Sequence, residues 1–255
     1  MKTQTQKIAL ITGGSRGLGR NTAESLARKG VDSVITYHSR AEEAQEVVAK
    51  LRAQGRKAVA LQLDTGATET FSGFAEKLKK ALQDNWNRSS FDYLVNNAGI
   101  SHHAAFDKVT EEELDSLYQV HFKGVFFLTQ KLLSLINDGG RIVTVSSGLT
   151  RIAIPGSASY ASMKGAIEVL TRCLAKEPGP RGIAINTVAP GAIATDFSGG
   201  IVRDNPDLNK RVEDMTAMGR TGLPDDIGPM IASLLSQENR WTNAQRIEVS
   251  GGMLI

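Results

Sequence analysis

Ser147, Tyr160 and Lys164 are the residues whose types and spacing invite chemistry. They lie in the stretch SGLTRIAIPGSASYASMK, with Tyr160 four positions before Lys164 and Ser147 thirteen before Tyr160. On a helix, residues i and i+4 stand one above the other on the same face. The Lys164 ammonium is therefore expected beside the Tyr160 phenol. A neighbouring cation favours the phenolate and is expected to draw the tyrosine pKa down from its ordinary value of about 10. That would make the phenol a proton donor and acceptor near neutral pH. Ser147, far enough back to end the preceding strand, offers its hydroxyl to a substrate oxygen. Half-exposed helix faces also produce Tyr-x-x-x-Lys pairs by chance, so the elements around the pair have to decide.

Residues 8–12 form a short apolar run of the kind a parallel strand buried on both faces requires. The run leads into TGGSRGLG, in which Gly13, Gly17 and Gly19 are spaced Gly-x-x-x-Gly-x-Gly. A helix is expected from there to about Lys29, with Gly30 as its stop. Strand, glycine-rich turn and helix in succession suit a pyrophosphate, because glycine lets the backbone approach and the helix N-terminus presents free N–H groups. Ser15, Arg16 and Leu18 share that turn. A cation such as Arg16 opposes the helix macrodipole by about 0.3–1 kcal/mol, a cost that a 2′-phosphate alongside would offset.

The second strand, SVITYHSR, ends without the acidic residue that takes the adenosine ribose hydroxyls in NAD sites. Tyr37, His38, Ser39 and Arg40 arrive there instead, and hydroxyl and basic groups suit a phosphate. NADP(H) is the expected cofactor. Ser39 also opens S-R-A-E, a capping box with Glu42.

Further strands are expected at 58–63, 91–95, 141–146, 182–188 and 246–249. The third ends in Asp64-Thr65 and the fourth in Asn96-Asn97-Ala98-Gly99, small and amide residues that fit the crevice at the carboxyl ends of an open α/β sheet. Thr110-Glu111-Glu112-Glu113 is a capping box opening a long helix. That helix contains HFKGVFFLTQKLLSLI and, with AIEVLTRCLA after Lys164, carries more apolar surface than one sheet-facing stripe needs. Two helices packed on a partner subunit are expected. Residues 197–218 read as polar and irregular, a mobile substrate lid.

With 255 residues, 41% hydrophobic and 22% charged, the chain is ordinary for one large α/β domain spanning 1–255, with no repeat or linker to divide it. A net charge of +3 without a dense basic run argues against nucleic-acid binding. The single Cys173 excludes an intramolecular disulfide and a cysteine-based zinc site, and is expected to be a buried structural thiol. No secretory leader or transmembrane-length segment is expected, which points to the cytoplasm and to no membrane partner.

Taken together, these motifs resemble the short-chain dehydrogenases/reductases along essentially the whole chain. TGGSRGLG is similar to that family's cofactor loop, NNAG to its mid-sheet motif, Ser147 with YASMK to its catalytic segment, and PGAIAT to its nicotinamide loop. The nearest flavour is the NADP-dependent 3-oxoacyl-thioester reductases, which form tetramers. The resemblance implies a Rossmann-like, doubly wound, seven-stranded parallel sheet in three α/β/α layers, and a homotetramer or homodimer. It also assigns Asp64 and Thr65 to the adenine, Asn97, Ala98 and Gly99 to the cofactor ribose region, and Pro190, Gly191, Ile193 and Thr195 to the nicotinamide end. Tyr160 and Lys164 then serve both the reaction and the cofactor, and the substrate is a small carbonyl or alcohol compound, an acyl thioester among them.

One position departs from the family. Its members usually carry asparagine in a stretch like VNFKGVF, where this chain reads VHFKGVF, with His121. With an ordinary pKa near 6.5, His121 is expected to relay protons, to replace the asparagine structurally, or to damage the relay. A relay predicts that His121→Asn alters the pH profile. His102 and His103, after NNAGIS, stand at the expected mouth of the site, and no ligand cluster for a metal accompanies them. Competing readings are a reductase of another alcohol class (sugar, polyol, steroid or xenobiotic ketone) and a cofactor-binding regulatory protein without turnover.

Overall fold

In the computed structural model, which describes residues 6–255, seven strands alternate with helices. In chain order they are β1 (Ile8–Ile11), α1 (Gly17–Arg28), β2 (Asp32–Tyr37), α2 (Ala41–Ala53), β3 (Ala58–Gln62), α3 (Phe71–Trp86) and β4 (Phe91–Asn96). Then come α4 (Glu111–Tyr118), α5 (Gly124–Leu132), β5 (Ile136–Val145), α6 (Ala158–Lys176) and β6 (Ala184–Pro190). The last part holds α7 (Ile201–Asp204), α8 (Pro206–Asp214), α9 (Pro224–Leu234) and β7 (Arg246–Val249).

All neighbouring strands pair parallel, in the order β3-β2-β1-β4-β5-β6-β7. The order reverses between β1 and β4, and that switch point is where an open α/β sheet leaves a crevice for ligands. The short apolar runs are short because both faces are covered: every residue of β1, β4 and β6 is buried. One core, with Ile35, Val47 and Ile231, lies between the sheet and α1, α2 and α9. The other, with Leu78, Leu128 and Ile185, lies under α3, α5 and α6. This is the doubly wound, three-layer arrangement expected from the sequence.

Three expectations need correction. Ser39 does not cap α2: the N-cap is Arg40, with no side-chain cap bond, and its guanidinium pairs with Glu43 instead. Residues 197–218 are largely helical. Asn205 caps α8 by accepting from the Leu208 N–H at 3.0 Å and Pro206 starts it, so the polar sequence there is the solvated face of a short helix that buries only Val212. Cys173 is exposed. Helix α6 buries Ile167, Leu170 and Thr171, and Cys173 falls on the outward side with Val169. Among the described residues, no helix is long and apolar enough to cross a membrane.

Candidate active site

The chain turns from β1 into α1 at a loop braced from β4. The Thr12 hydroxyl accepts from the N–H groups of Asn97 and Ala98 at 2.9 and 3.0 Å. The Asn97 amide in return donates to the Thr12 and Gly13 carbonyls at 2.9 and 3.1 Å. A Cβ on Gly19 would lie 2.2 Å from the Gly13 carbonyl oxygen, so only glycine lets the helix start this close to the strand. Arg16 stands at the N-cap in extended conformation without a side-chain cap bond, and no acidic residue lies in the first turn. The leading N–H groups and dipole end are therefore available to an anion, with Ser15 buried, Gly17 and Leu18 half-buried and Arg16 exposed beside them.

At the end of β2, His38, Ser39 and Arg40 are exposed. The His38 ring lies 3.5 Å from the Asp64 carboxylate, whose other oxygen accepts from the Gly66 N–H. Thr65 follows, half-buried. On the far side, Pro190 closes β6 and the Gly191 N–H donates to the Val249 carbonyl at 3.1 Å. Ile193 then bridges to Gly222, and the loop returns Thr195 to within 3.8 Å of where a Gly17 side chain would begin. The two loops thus approach each other beside the uncapped start of α1, whose free N–H groups could hold a dinucleotide pyrophosphate.

Tyr160 and Lys164 stand on α6, as their spacing requires, and Ser147 follows β5 at the start of a tight turn whose Leu149 N–H donates to its Oγ. Lys164 Nζ lies 5.6 Å from the centre of the Tyr160 ring. The pairing is as expected, but its electrostatics in the cofactor-free protein are not. Burial pushes the Tyr160 phenol up from its ordinary value, and only the facing Ser147 hydroxyl pulls it down. Lys164 is itself buried and donates to the Val145 carbonyl at 2.8 Å. Desolvation lowers it to about 7, so near neutral pH it is only partly charged. A half-ionised ammonium, turned partly toward a carbonyl, is a weak phenol activator.

His121 occupies one turn of π-helix, Gln119–Lys123, between α4 and α5. The local widening brings its imidazole edge-on to Tyr160, with ring centres 5.2 Å apart. A Cβ on Gly99 would come within 2.7 Å of this ring, so glycine at 99 makes room for it. His121 Nε2 lies 2.7 Å from the Ile100 carbonyl and 3.3 Å from the Ile100 N–H; the shorter contact favours the Nε2–H tautomer, which leaves Nδ1 as a buried acceptor with no partner. Burial first, and the Lys164 charge second, lower its pKa to about 3. An imidazole held neutral near pH 7 fits the structural reading of His121 better than a relay through its cation.

Sequence reasoning passed over Thr12 and Phe197. A threonine at a strand end has no recognisable spacing, and its role needs β4 beside it. Phe197 packs on Tyr160 with ring centres 6.0 Å apart at 53°, yet remains 41% exposed. His102 pairs with Glu113 at 2.7 Å, while His103 packs on Gly156. Among the described residues, no three His, Cys, Asp or Glu side chains are grouped to hold a metal ion.

The chain matches the family model described as enoyl-(acyl carrier protein) reductase over residues 13–254. It is 35% identical to the tetrahydroxynaphthalene reductase of Pestalotiopsis fici, covering 96% of this chain and 91% of that one. The promiscuous reductase LugOII, which catalyses keto-reduction at C1 during lugdunomycin biosynthesis, superposes with a TM-score of 0.93 at 36% identity, over 98% of this chain and 99% of its own. The angucycline C-6 ketoreductase LanV, solved with bound NADP, superposes with a TM-score of 0.92 at 35% identity, over 97% and 95%.

Proposed function

This chain belongs to the short-chain dehydrogenase/reductase family, and we propose that it reduces a ketone on a flat, fused-ring substrate at the expense of NADPH. The carrying observation is the Tyr160–Phe197 pair, which sets an open aromatic wall beside the one phenol placed to act as an acid. A planar apolar substrate can stack there with its carbonyl toward Tyr160. Relatives named for naphthol and angucycline reduction support the same class.

The residues present fit a dinucleotide: the uncapped start of α1 would hold its pyrophosphate, and Arg16, His38 and Ser39 would hold the 2′-phosphate. The absence of a cap bond on Ser39 leaves that hydroxyl free for the phosphate. Asp64 and Thr65 would flank the adenine, Asn97 to Gly99 the ribose, and Pro190 to Thr195 the carboxamide. NADP-bound LanV supports this choice of cofactor.

When bound, the reduced nicotinamide supplies the hydride to the carbonyl carbon. Tyr160 gives its proton to the carbonyl oxygen, and the Ser147 hydroxyl donates a hydrogen bond to that oxygen as negative charge grows. Lys164 sits under the phenol and stabilises the phenolate left after transfer. His121 holds the neighbouring backbone through Ile100 and offers Nδ1 as a fixed acceptor. Reprotonation of Tyr160 then passes through Lys164 rather than through a histidine cation.

Residues 197–218 act as the substrate lid. Ser198, Gly199 and Gly200 share left-handed backbone angles, a joint on which Phe197 can swing over Tyr160. The outward faces of α4, α5 and α6, with Tyr118, Phe127 and Val169 exposed, form the contact in a homodimer or homotetramer.

A second substrate reading, a 3-oxoacyl thioester, shares with the description of the matching family model only the acyl carrier, since an enoyl reductase acts on a carbon–carbon double bond. Steady-state kinetics with NADPH separate the two. A bicyclic aryl ketone such as tetralone is expected to give the higher kcat/KM, and a clear preference for an acetoacetyl thioester would reverse the assignment.

A further inference from the structure

Among the described ion pairs, Glu168–Arg246 is nearly closed to solvent on both sides, with side-chain exposures of 13% and 7%. A pair so placed is a poor source of stability, since desolvation consumes most of the attraction and apolar residues of similar volume often do as well. Its partners point to another use. Residue 168 stands four positions after Lys164, which stands four after Tyr160, so the three side chains form one stripe along α6.

From that stripe the Glu168 carboxylate gathers donors from both sides of Ser147. One oxygen accepts from the Ser146 hydroxyl at 2.8 Å, the Thr150 hydroxyl at 2.8 Å and Arg246 Nε at 2.6 Å. Arg246, reaching in from β7, donates through Nη2 to the Ser147 carbonyl at 3.3 Å and to the Thr150 hydroxyl at 3.0 Å. Its Nη1 is held by Glu248, whose carboxylate lies against Gly148. The turn carrying Ser147 is thus tied at residues 146, 147 and 150 to the helix that carries Tyr160 and Lys164.

We infer that Glu168 and Arg246 are positioning residues that set the Ser147 hydroxyl in register with the Tyr160 phenol. Ser147 has few bonds of its own to do this: its hydroxyl accepts from the Leu149 N–H within the same turn and otherwise faces the Tyr160 phenol with which it must be aligned. Without the clamp the turn can shift relative to α6, and a hydrogen-bond donor displaced by a fraction of an ångström loses most of its grip on a developing oxyanion. The inference rests on the reading of Ser147 as the donor to the substrate oxygen.

The test is a double-mutant cycle in the full-length protein, read by tetralone reduction with NADPH. Glu168→Gln keeps the volume and loses the charge; Arg246→Lys keeps the charge and loses the fork. Each is expected to lower kcat about tenfold while leaving the KM for NADPH within about twofold. In a Ser147→Ala background the same substitutions are expected to cost almost nothing, because no hydroxyl remains to be positioned. A merely structural role would give the same loss in both backgrounds, and that result, or an unchanged kcat, overturns the inference.

Crystal structures of wild type and Glu168→Gln give an answer that does not depend on turnover. Ser147 Oγ is expected to move by about 0.5 Å or more relative to Tyr160, and an unmoved hydroxyl overturns the inference. Absence of wild-type ketone reduction would instead strike the proposed function, leaving the displacement of Ser147 to decide this one.

Discussion

Lys164 Nζ lies 5.6 Å from the centre of the Tyr160 ring while donating a 2.8 Å hydrogen bond to the Val145 carbonyl. The lysine is therefore shared between a phenol and the end of β5, inside a site dry enough to lower it to about 7. Its charge is available to the phenol only when something else in the crevice favours the ammonium. Loading of the anionic dinucleotide is the natural trigger.

Burial of Lys164 carries a stability signature. Between about pH 7 and its ordinary pKa, the unfolded chain binds a proton there that the folded chain does not. Stability of the cofactor-free protein should thus rise with pH through that window, by at most about 1.4 kcal/mol per pH unit. Lys164→Met is expected to flatten this rise in urea-unfolding midpoints. A variant that follows the wild-type slope would show that Lys164 stays fully charged.

For His121 the sign is the same and the window is acidic. The folded protein keeps it neutral down to about pH 3, whereas the unfolded chain protonates it near 6.5. Its contribution is complete above about pH 6.5 and is lost as the pH falls toward 3. His121→Asn should make the protein less acid-labile and leave the pH profile of kcat above about 6.5 unchanged. A profile displaced near neutrality would restore the proton-relay role.

Arg16 should separate the two nicotinamide cofactors. Loss of a charge-assisted hydrogen bond costs about 1.5–3 kcal/mol, so Arg16→Ala is expected to raise the KM for NADPH by roughly tenfold or more. The KM for NADH should change little, because that cofactor carries no 2′-phosphate. Equal changes for both would place Arg16 at the pyrophosphate instead.

Val169, 51% exposed on α6, tests the subunit contact. Val169→Glu puts a charge into the proposed apolar interface and is expected to shift the mass seen by light scattering to a smaller species. An unchanged mass would remove this face from the assembly.

The fold and the Ser147, Tyr160 and Lys164 cluster were legible because they follow from local rules. Buried parallel strands need short apolar runs, the glycine turn has a fixed spacing, and a Tyr–Lys pair four apart must share a helix face. What stayed hidden depended on neighbours distant in the chain. The state of Tyr160 is set by desolvation, which no spacing records, and the neutrality of His121 comes from burial and the Lys164 charge, against the opposite pull of the Ile100 carbonyl. The Ser39 box lost to a helix starting one residue later, with Arg40 held by Glu43. Thr12, Glu168 and Arg246 gain their roles only when β1, α6 and β7 meet other elements.

The central claim is that the Tyr160 phenol delivers the proton to a substrate carbonyl, and its most direct measurement is NADPH oxidation in the presence of tetralone by wild type and Tyr160→Phe. The variant keeps the ring against His121 and Phe197 and loses only the hydroxyl. Its kcat is expected to fall by about 10²–10⁴-fold with NADPH binding preserved. Wild-type turnover in the phenylalanine variant would contradict the claim.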